Sequence, residues 1–298
     1  MGNRSQIYNK FTRLHNYLLL ALLLFTSISS VAERQLIETH SVVVDGNERS
    51  YIVYKPIYLP PNPPLMLVLH GGLGNAQAMQ KTTHMDRVAD KHGFIVVYAN
   101  GVAGRLMKKR RTWNAGACCG KAVKTNANDV GYLEEIITEM ASKYHIDTKR
   151  VYITGFSNGA MMAYRMACER PEKVAAIVPV SGTLAVNRCD GVKDVPVLHI
   201  HGDLDDNVPF RGGKGGRSVS GVNHKSVDET LNIVKKRRQC TLTDTLNQST
   251  NIQVKKYVCK NGLPVVLYTV HNGGHEWPEK GELSASETVW NFVKSHSK

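Results

Sequence analysis

A chain of 298 residues is long enough for one large domain, and a formal charge of +13 favours anionic surfaces such as polysaccharide, lipopolysaccharide or nucleic acid. No basic motif interleaved with aromatics, as in a nucleic-acid module, is visible, so nucleic acid is not an expected partner. Six cysteines occur without a CxxC pair or an HExxH run, which sets a zinc site aside.

Residues 1–32 have the pattern of a signal peptide. Arg4, Lys10 and Arg13 make a basic start, "YLLLALLLF" (Tyr17 to Phe25) a short apolar core, and Ser30 and Ala32 stand at −3 and −1 of a cleavage site. The apolar run falls short of the ~18 residues that span a bilayer, so no stable membrane span is expected after cleavage. No cysteine precedes Cys118, which leaves nothing near the cleavage site to carry a lipoprotein anchor. The expected mature chain is a single domain over 33–298, secreted or periplasmic, and its cysteines are then expected in disulfides. Cys240 and Cys259 flank a polar excursion, "TLTDTLNQSTNIQVKKYV", and form the first expected pair. A bridge between the adjacent Cys118 and Cys119 would be strained, so these two are expected to reach Cys168 or Cys189.

"THSVVVDG" and "RSYIVYKP" read as a hairpin turning at Asp45-Gly46-Asn47. "LMLVLH" (Leu65 to His70) is a continuous apolar strand ended by "GGLGN"; helical spacing follows from Ala76 to about His92, and "FIVVYAN" is the next strand. A long Gly- and Lys/Arg-rich stretch holding "RLMKKRR" (Arg105 to Arg111) runs to Asn128, followed by a helix from about Val130 to Tyr144. "RVYITG" is a strand and Asn158 to Glu169 a helix; "VAAIVPVSG" and "VPVLHIHG" are strands. "SVDETLNIVKKRR" opens with a capping box, Ser226 and Glu229. "LPVVLYTV" is the last strand and "SASETVWNFVKS" the closing helix. Apolar strands alternating with helices predict an α/β fold: a mostly parallel central sheet buried on both faces by helices, with the leading hairpin as an antiparallel edge.

In such sheets the chemistry lies beyond the carboxyl ends of the strands. Those ends present His70-Gly71-Gly72-Leu73, Gly155-Phe156-Ser157-Asn158-Gly159, His201-Gly202-Asp203-Leu204-Asp205-Asp206, and His271 through "NGGHEWP" to His275. The second is G-x-S-x-G between a strand and a helix, the context of a nucleophile elbow, and makes Ser157 the candidate nucleophile. Serine needs a base, and the base an acid to orient it. Of twelve histidines, His275 is the candidate base because Gly273-Gly274 can bend its loop over the sheet, with His271 as runner-up. His70, His199 and His201 read as core or supporting histidines. Asp205 is the candidate acid, with Asp203 and Asp206 close by. The order Ser, Asp, His is that of α/β-hydrolases. Oxyanion donors are expected from the N–H of Asn158 and that of Leu73 or Gly72. The "HGGLGN" loop lacks the G-x-x-x-x-G-K-[ST] spacing of a phosphate cradle.

Taken together, "LHGGLGN", "TWNAGACCG", "NDVGY", "GFSNGAMMAYRMACERPEKVAAIVPVSG", "VPVLHIHGDLDDNVPF" and "GGHEWP" resemble the secreted polyhydroxybutyrate depolymerase and feruloyl-esterase-like proteins of the α/β-hydrolase superfamily. The likeness covers nearly the whole mature chain. It implies a serine esterase without a cofactor, with Ser157 as nucleophile, Asp205 as acid and His275 as base, acting on hydroxybutyrate oligomers or polymer, or on feruloyl or acetyl esters of polysaccharide. Two departures, Asn128 where the group often has a second aspartate and Glu279 where it often has glycine, stand where substrate contacts could differ. Trp113 and Trp277 are candidate walls of the substrate pocket, and the basic loop at Arg105 to Arg111 a candidate contact for anionic polysaccharide or another anionic surface. The other readings are a serine peptidase of the same fold, which would usually carry a propeller or a large cap, and a non-catalytic binder of anionic surfaces on an inherited fold.

Overall fold

The computed structural model describes residues 36–104 and 108–298. The expected signal segment 1–32, and Arg105, Leu106 and Met107 of the basic loop, lie outside the described residues.

The strands β1 (Ile37–Val44) and β2 (Asn47–Tyr54) form the leading antiparallel hairpin. Asp45 and Gly46 turn it with φ of 49° and 74°, the left-handed pair that a tight hairpin requires. Then come β3 (Leu65–Leu69), α1 (Ala76–Thr83), α2 (Met85–His92), β4 (Ile95–Ala99), and a two-residue ladder of β5 (Val102–Ala103) with β6 (Arg111–Thr112). After α3 (Gly120–Lys124) and α4 (Asp129–Tyr144) follow β7 (Val151–Phe156), α5 (Asn158–Glu169), β8 (Ala176–Val180) and β9 (Val197–Gly202). The chain closes with α6 (Val227–Arg238), β10 (Thr241–Asn247), β11 (Ile252–Val258), β12 (Val265–Val270) and α7 (Ala285–Val293).

Ten strands make one sheet in the order β1-β2-β4-β3-β7-β8-β9-β12-β11-β10. From β4 to β12 each neighbouring pair is parallel, whereas β2 on one side and the β10–β11 ribbon on the other run antiparallel. Every residue of β3, β4 and β8 is buried, so helices or loops cover both faces at the centre. From β3 the chain first steps outward to β4 and then returns to β7 on the other side of β3. The β3/β7 boundary is therefore the point where strand order reverses, and a crevice opens there beyond the strand ends.

Three expectations change. The helix expected over Ala76 to His92 is two helices, because His84 takes a left-handed conformation (φ 49°) that ends α1 and starts α2. The polar excursion between Cys240 and Cys259 is the β10–β11 edge hairpin: Ile252 and Val254 alternate inward while β10 stays exposed. Cys240 does pair with Cys259, but Cys168 pairs with Cys189, their Cα atoms 4.4 Å apart at the end of α5. With those two satisfied by each other, Cys118 pairs with its neighbour Cys119. Among the described residues no helix is long and apolar enough to cross a membrane.

Candidate active site

Strand β7 runs into α5 through a turn that only small flanking residues allow. A Cβ on Gly159 would stand 2.3 Å from the Leu69 carbonyl oxygen, and one on Gly155 2.6 Å from Gly159 itself. The residue between, Ser157, is held at φ 55°, ψ −118°, outside the favoured regions for an L-residue. Such a conformation costs about 1–3 kcal/mol and persists only where the surroundings impose it. Here the Ser157 N–H donates to Val180 O (2.9 Å) and the Met161 N–H to Ser157 O (3.1 Å), tying the turn to β8 and to its own helix.

Two other strand ends lean together over this serine. The loops after β9 and β12 touch so closely that a Cβ on Gly202 would meet Gly273 O at 2.3 Å, and the Leu204 N–H donates to Gly273 O (3.0 Å). This contact delivers His275, whose Nε2 lies 2.9 Å from Ser157 Oγ and whose Nδ1 lies 2.7 Å from Asp205 Oδ2. The phenyl ring of Phe156 packs on the imidazole, ring centroids 4.7 Å apart.

The Asp205 carboxylate is buried and surrounded by donors. Its Oδ1 accepts from the N–H groups of Asn207 (2.9 Å) and Val208 (2.8 Å), and its Oδ2 faces His275 and, at 3.2 Å, His201 Nε2. Burial works to raise its pKa, but the hydrogen bonds from His201 and His275 outweigh that and hold the carboxyl well below the usual carboxylate range. His201 Nε2 also lies 2.8 Å from the Val208 carbonyl, which can only accept, so that nitrogen carries the proton. Direction then propagates: His199 Nε2–H donates to His201 Nδ1 (3.0 Å), and Tyr164 O–H to His199 Nδ1 (2.9 Å). Two of the three supporting histidines expected from sequence, His199 and His201, thus form a buried chain that ends on Asp205.

The alternatives for the triad lie elsewhere. His271 Nδ1 bonds Asp203 (2.8 Å), a His–Asp couple without a serine, and Asp206 is an exposed carboxylate facing Arg217 at 3.8 Å. His70 is buried beneath the oxyanion loop: its Nδ1–H donates to Gly71 O (2.7 Å), its Nε2 accepts from the Gly101 N–H (2.9 Å), and burial pushes its pKa down to about 4.

Of the expected oxyanion donors, Leu73 is ruled out because its N–H already donates to Arg111 O at 2.7 Å. Gly72 has no hydrogen-bond partner for its N–H among the described residues and lines the cavity over Ser157. The Asn158 N–H is open as well, at the first position of α5, where the helix dipole adds its positive end. The side chain of Asn158 clamps the Trp113 backbone, Oδ1 accepting from its N–H (2.7 Å) and Nδ2 donating to its carbonyl (3.2 Å).

That cavity, about 530 Å³, is lined by Phe156, Met161, Val208 and the Cys118–Cys119 pair around Ser157 and His275. Neither tryptophan walls it. Trp113 is fully buried with its indole N–H spent on His70 O (2.9 Å), and Trp277 is 6% exposed beside a separate cavity that holds no triad residue. The two sequence departures also have structural partners: Asn128 caps α4 by accepting from the Gly131 N–H, and Glu279 accepts from Trp277, Ser284 and Ser286. One residue of the cavity wall, His224, carries no signal in the sequence, since it follows a Gly-rich loop rather than a strand.

A sequence profile described as phospholipase/carboxylesterase, of the α/β-hydrolase type, matches residues 60–241. Over 256 residues the chain is 35% identical to a bifunctional acetylxylan esterase/xylanase of Neocallimastix patriciarum, covering 83% of this chain and 33% of that protein. It is 30% identical to feruloyl esterase B of Piromyces equi, covering 78% of this chain and 42% of that one. The chain therefore spans less than half the length of either relative. An acetyl xylan esterase structure from Aspergillus awamori superposes with a TM-score of 0.63 over 86% of this chain and 99% of its own, at 18% identity, a likeness of fold.

Proposed function

Because the chain belongs to the phospholipase/carboxylesterase family of α/β-hydrolases, we propose that it is an exported carboxylic-ester hydrolase working through an acyl-enzyme on Ser157. The observation that carries this reading is the line from Asp205 through His275 to Ser157, with contacts of 2.7 and 2.9 Å, beside two open N–H groups. Ser157 Oγ attacks the ester carbonyl while His275 Nε2 takes its proton, and Asp205 holds the imidazole with Nδ1–H toward the carboxylate. The carbonyl oxygen, negative in the tetrahedral intermediate, sits against the N–H groups of Asn158 and Gly72, each contributing about 3 kcal/mol to the transition state. His275 returns the proton to the leaving alcohol and then draws one from the water that clears the acyl group.

Acetyl and feruloyl esters on polysaccharide fit the activities in the relatives' names, and hydroxybutyrate esters fit the motif resemblance. A cavity of about 530 Å³ suits small or oligomeric esters. Export is supported by the signal-like segment 1–32 and by three disulfides in the described residues, a pattern of oxidising compartments.

The test is hydrolysis of 4-nitrophenyl acetate, feruloyl esters, acetylated xylan and hydroxybutyrate oligomers by wild type and Ser157→Ala. Wild type should turn over at least one class, and Ser157→Ala should lose at least roughly 10⁴-fold in kcat. A folded wild type inert on all of them would leave the non-catalytic reading standing.

A further inference from the structure

The cavity over Ser157 carries charge of one sign. Its charged lining side chains are Lys124 and Arg217; no aspartate or glutamate lines it among the described residues. Lys124, at the end of α3, is exposed and makes no ion pair among the described residues. Arg217 faces Asp206 at 3.8 Å with both side chains open to water (82% and 59% exposed), a contact that holds it weakly.

On the same cavity wall stands His224, only 7% exposed. Its backbone is pinned by a reciprocal pair of hydrogen bonds with Gly213, each 2.9 Å, yet its Nε2 has no hydrogen-bond partner among the described residues. A buried polar nitrogen left open destabilises the fold, so its retention calls for something that completes it. Further basic residues stand along the chain next to the wall. Lys109 and Arg111 belong to a basic loop whose backbone carbonyls accept from the Asn75 side chain and the Leu73 N–H, which ties that loop to the oxyanion strand end.

We propose that this wall is a carboxylate subsite: the natural ester carries a free carboxylate away from the scissile bond, which takes the open hydrogen bond of His224 and is held by Lys124 and Arg217. The inference rests on the esterase reading and narrows its substrate. A hydrogen bond to a charged group completes His224, and Lys124 and Arg217 attract the anion on a wall that no carboxylate lines among the described residues. Asp206, 3.8 Å from Arg217, is the exposed carboxylate that competes for it. Two ester types carry such a group, a hydroxyacid oligomer through its terminal carboxylate and an esterified polysaccharide through a uronate.

The experiment compares each charged substrate with a neutral counterpart. One arm uses the 3-hydroxybutyrate dimer as free acid and as its terminal amide; the other uses acetylated xylo-oligosaccharide bearing uronate and the same material after reduction of the uronate. In one arm, which identifies the source, kcat/KM should be about tenfold higher for the charged form, mainly through KM, with the ratio shrinking as salt is added. The ratio should fall toward one in the double variant Lys124→Ala/Arg217→Ala, both solvent-facing positions, and fall again in His224→Asn. A ratio near one in both arms for wild type, or one that the double variant leaves intact, overturns the subsite. Turnover of 4-nitrophenyl acetate by the same wild-type preparation separates that failure from failure of the esterase reading itself.

Discussion

Asp205 is fastened by four donors, and His201 is the one side chain among them with no part in the reaction as drawn. Removing a hydrogen bond to a charged group costs about 1.5–3 kcal/mol, so His201→Phe should lower kcat at least roughly tenfold while KM moves little. His201→Gln can place an N–H near the Nε2 position and should recover most of the loss. Steady-state kinetics on 4-nitrophenyl acetate read both variants, and equal losses in the two would mean that His201 only fills space. At this scale the three side chains that meet at the site, Ser157, His275 and Asp205, were legible in the sequence, because each follows an apolar strand and Ser157 sits in a motif with its own steric logic. What was not legible depends on distant partners. The choice of Gly72 over Leu73 turns on a carbonyl at Arg111, and the burial of Trp113 on a carbonyl at His70. His224 lies at neither a strand end nor a motif, so nothing local distinguishes it among twelve histidines.

Among the elements, the leading hairpin is joined to α4 by a buried ion pair. Arg49 donates to Asp129 at 2.6 Å and to Asn100 O at 3.0 Å, and its guanidinium lies 4.1 Å from the centre of the Tyr132 ring. Burial raises the Asp129 pKa and the Arg49 charge opposes that rise, so removing the arginine leaves a buried carboxylate without its counter-charge. Arg49→Ala should therefore cost about 3–5 kcal/mol in chemical denaturation, well beyond an exposed pair; a loss under about 1 kcal/mol would place the pair in effective contact with water. The parallel centre of the sheet was readable because β3, β4 and β8 are apolar throughout, a pattern that only two covered faces explain. The β10–β11 ribbon was hidden by its composition: β10 lies at the sheet edge, keeps an exposed and polar face, and so lacks an apolar run. In the same way, the break at His84 is a single left-handed residue inside otherwise continuous helical spacing.

Across the whole molecule, buried histidines tie stability to pH. His70 is pushed by burial from an ordinary 6.5 down to about 4, and burial also drives His199 well below the ordinary value. Between those two values the unfolded chain takes up a proton that folded His70 refuses. Its contribution is complete above pH 6.5, falls as the pH drops through that window, and is lost below about 4; the gap corresponds to about 3 kcal/mol. Denaturant midpoints at pH 7 and pH 4 should show wild type losing about that much more than His70→Asn, which has no titrating ring. Equal losses would mean that folded His70 accepts the proton as readily as the unfolded chain does.

The most direct measurement at this scale is covalent capture by a fluorophosphonate, with the modified peptide located by mass spectrometry in wild type and in His275→Ala. A phosphonyl group on Ser157 of wild type, with labelling slowed at least roughly 10³-fold in His275→Ala, is the expected result, because the hydroxyl attacks only when the imidazole takes its proton. Labelling of another residue, or labelling of Ser157 at the same rate without the imidazole, would contradict it.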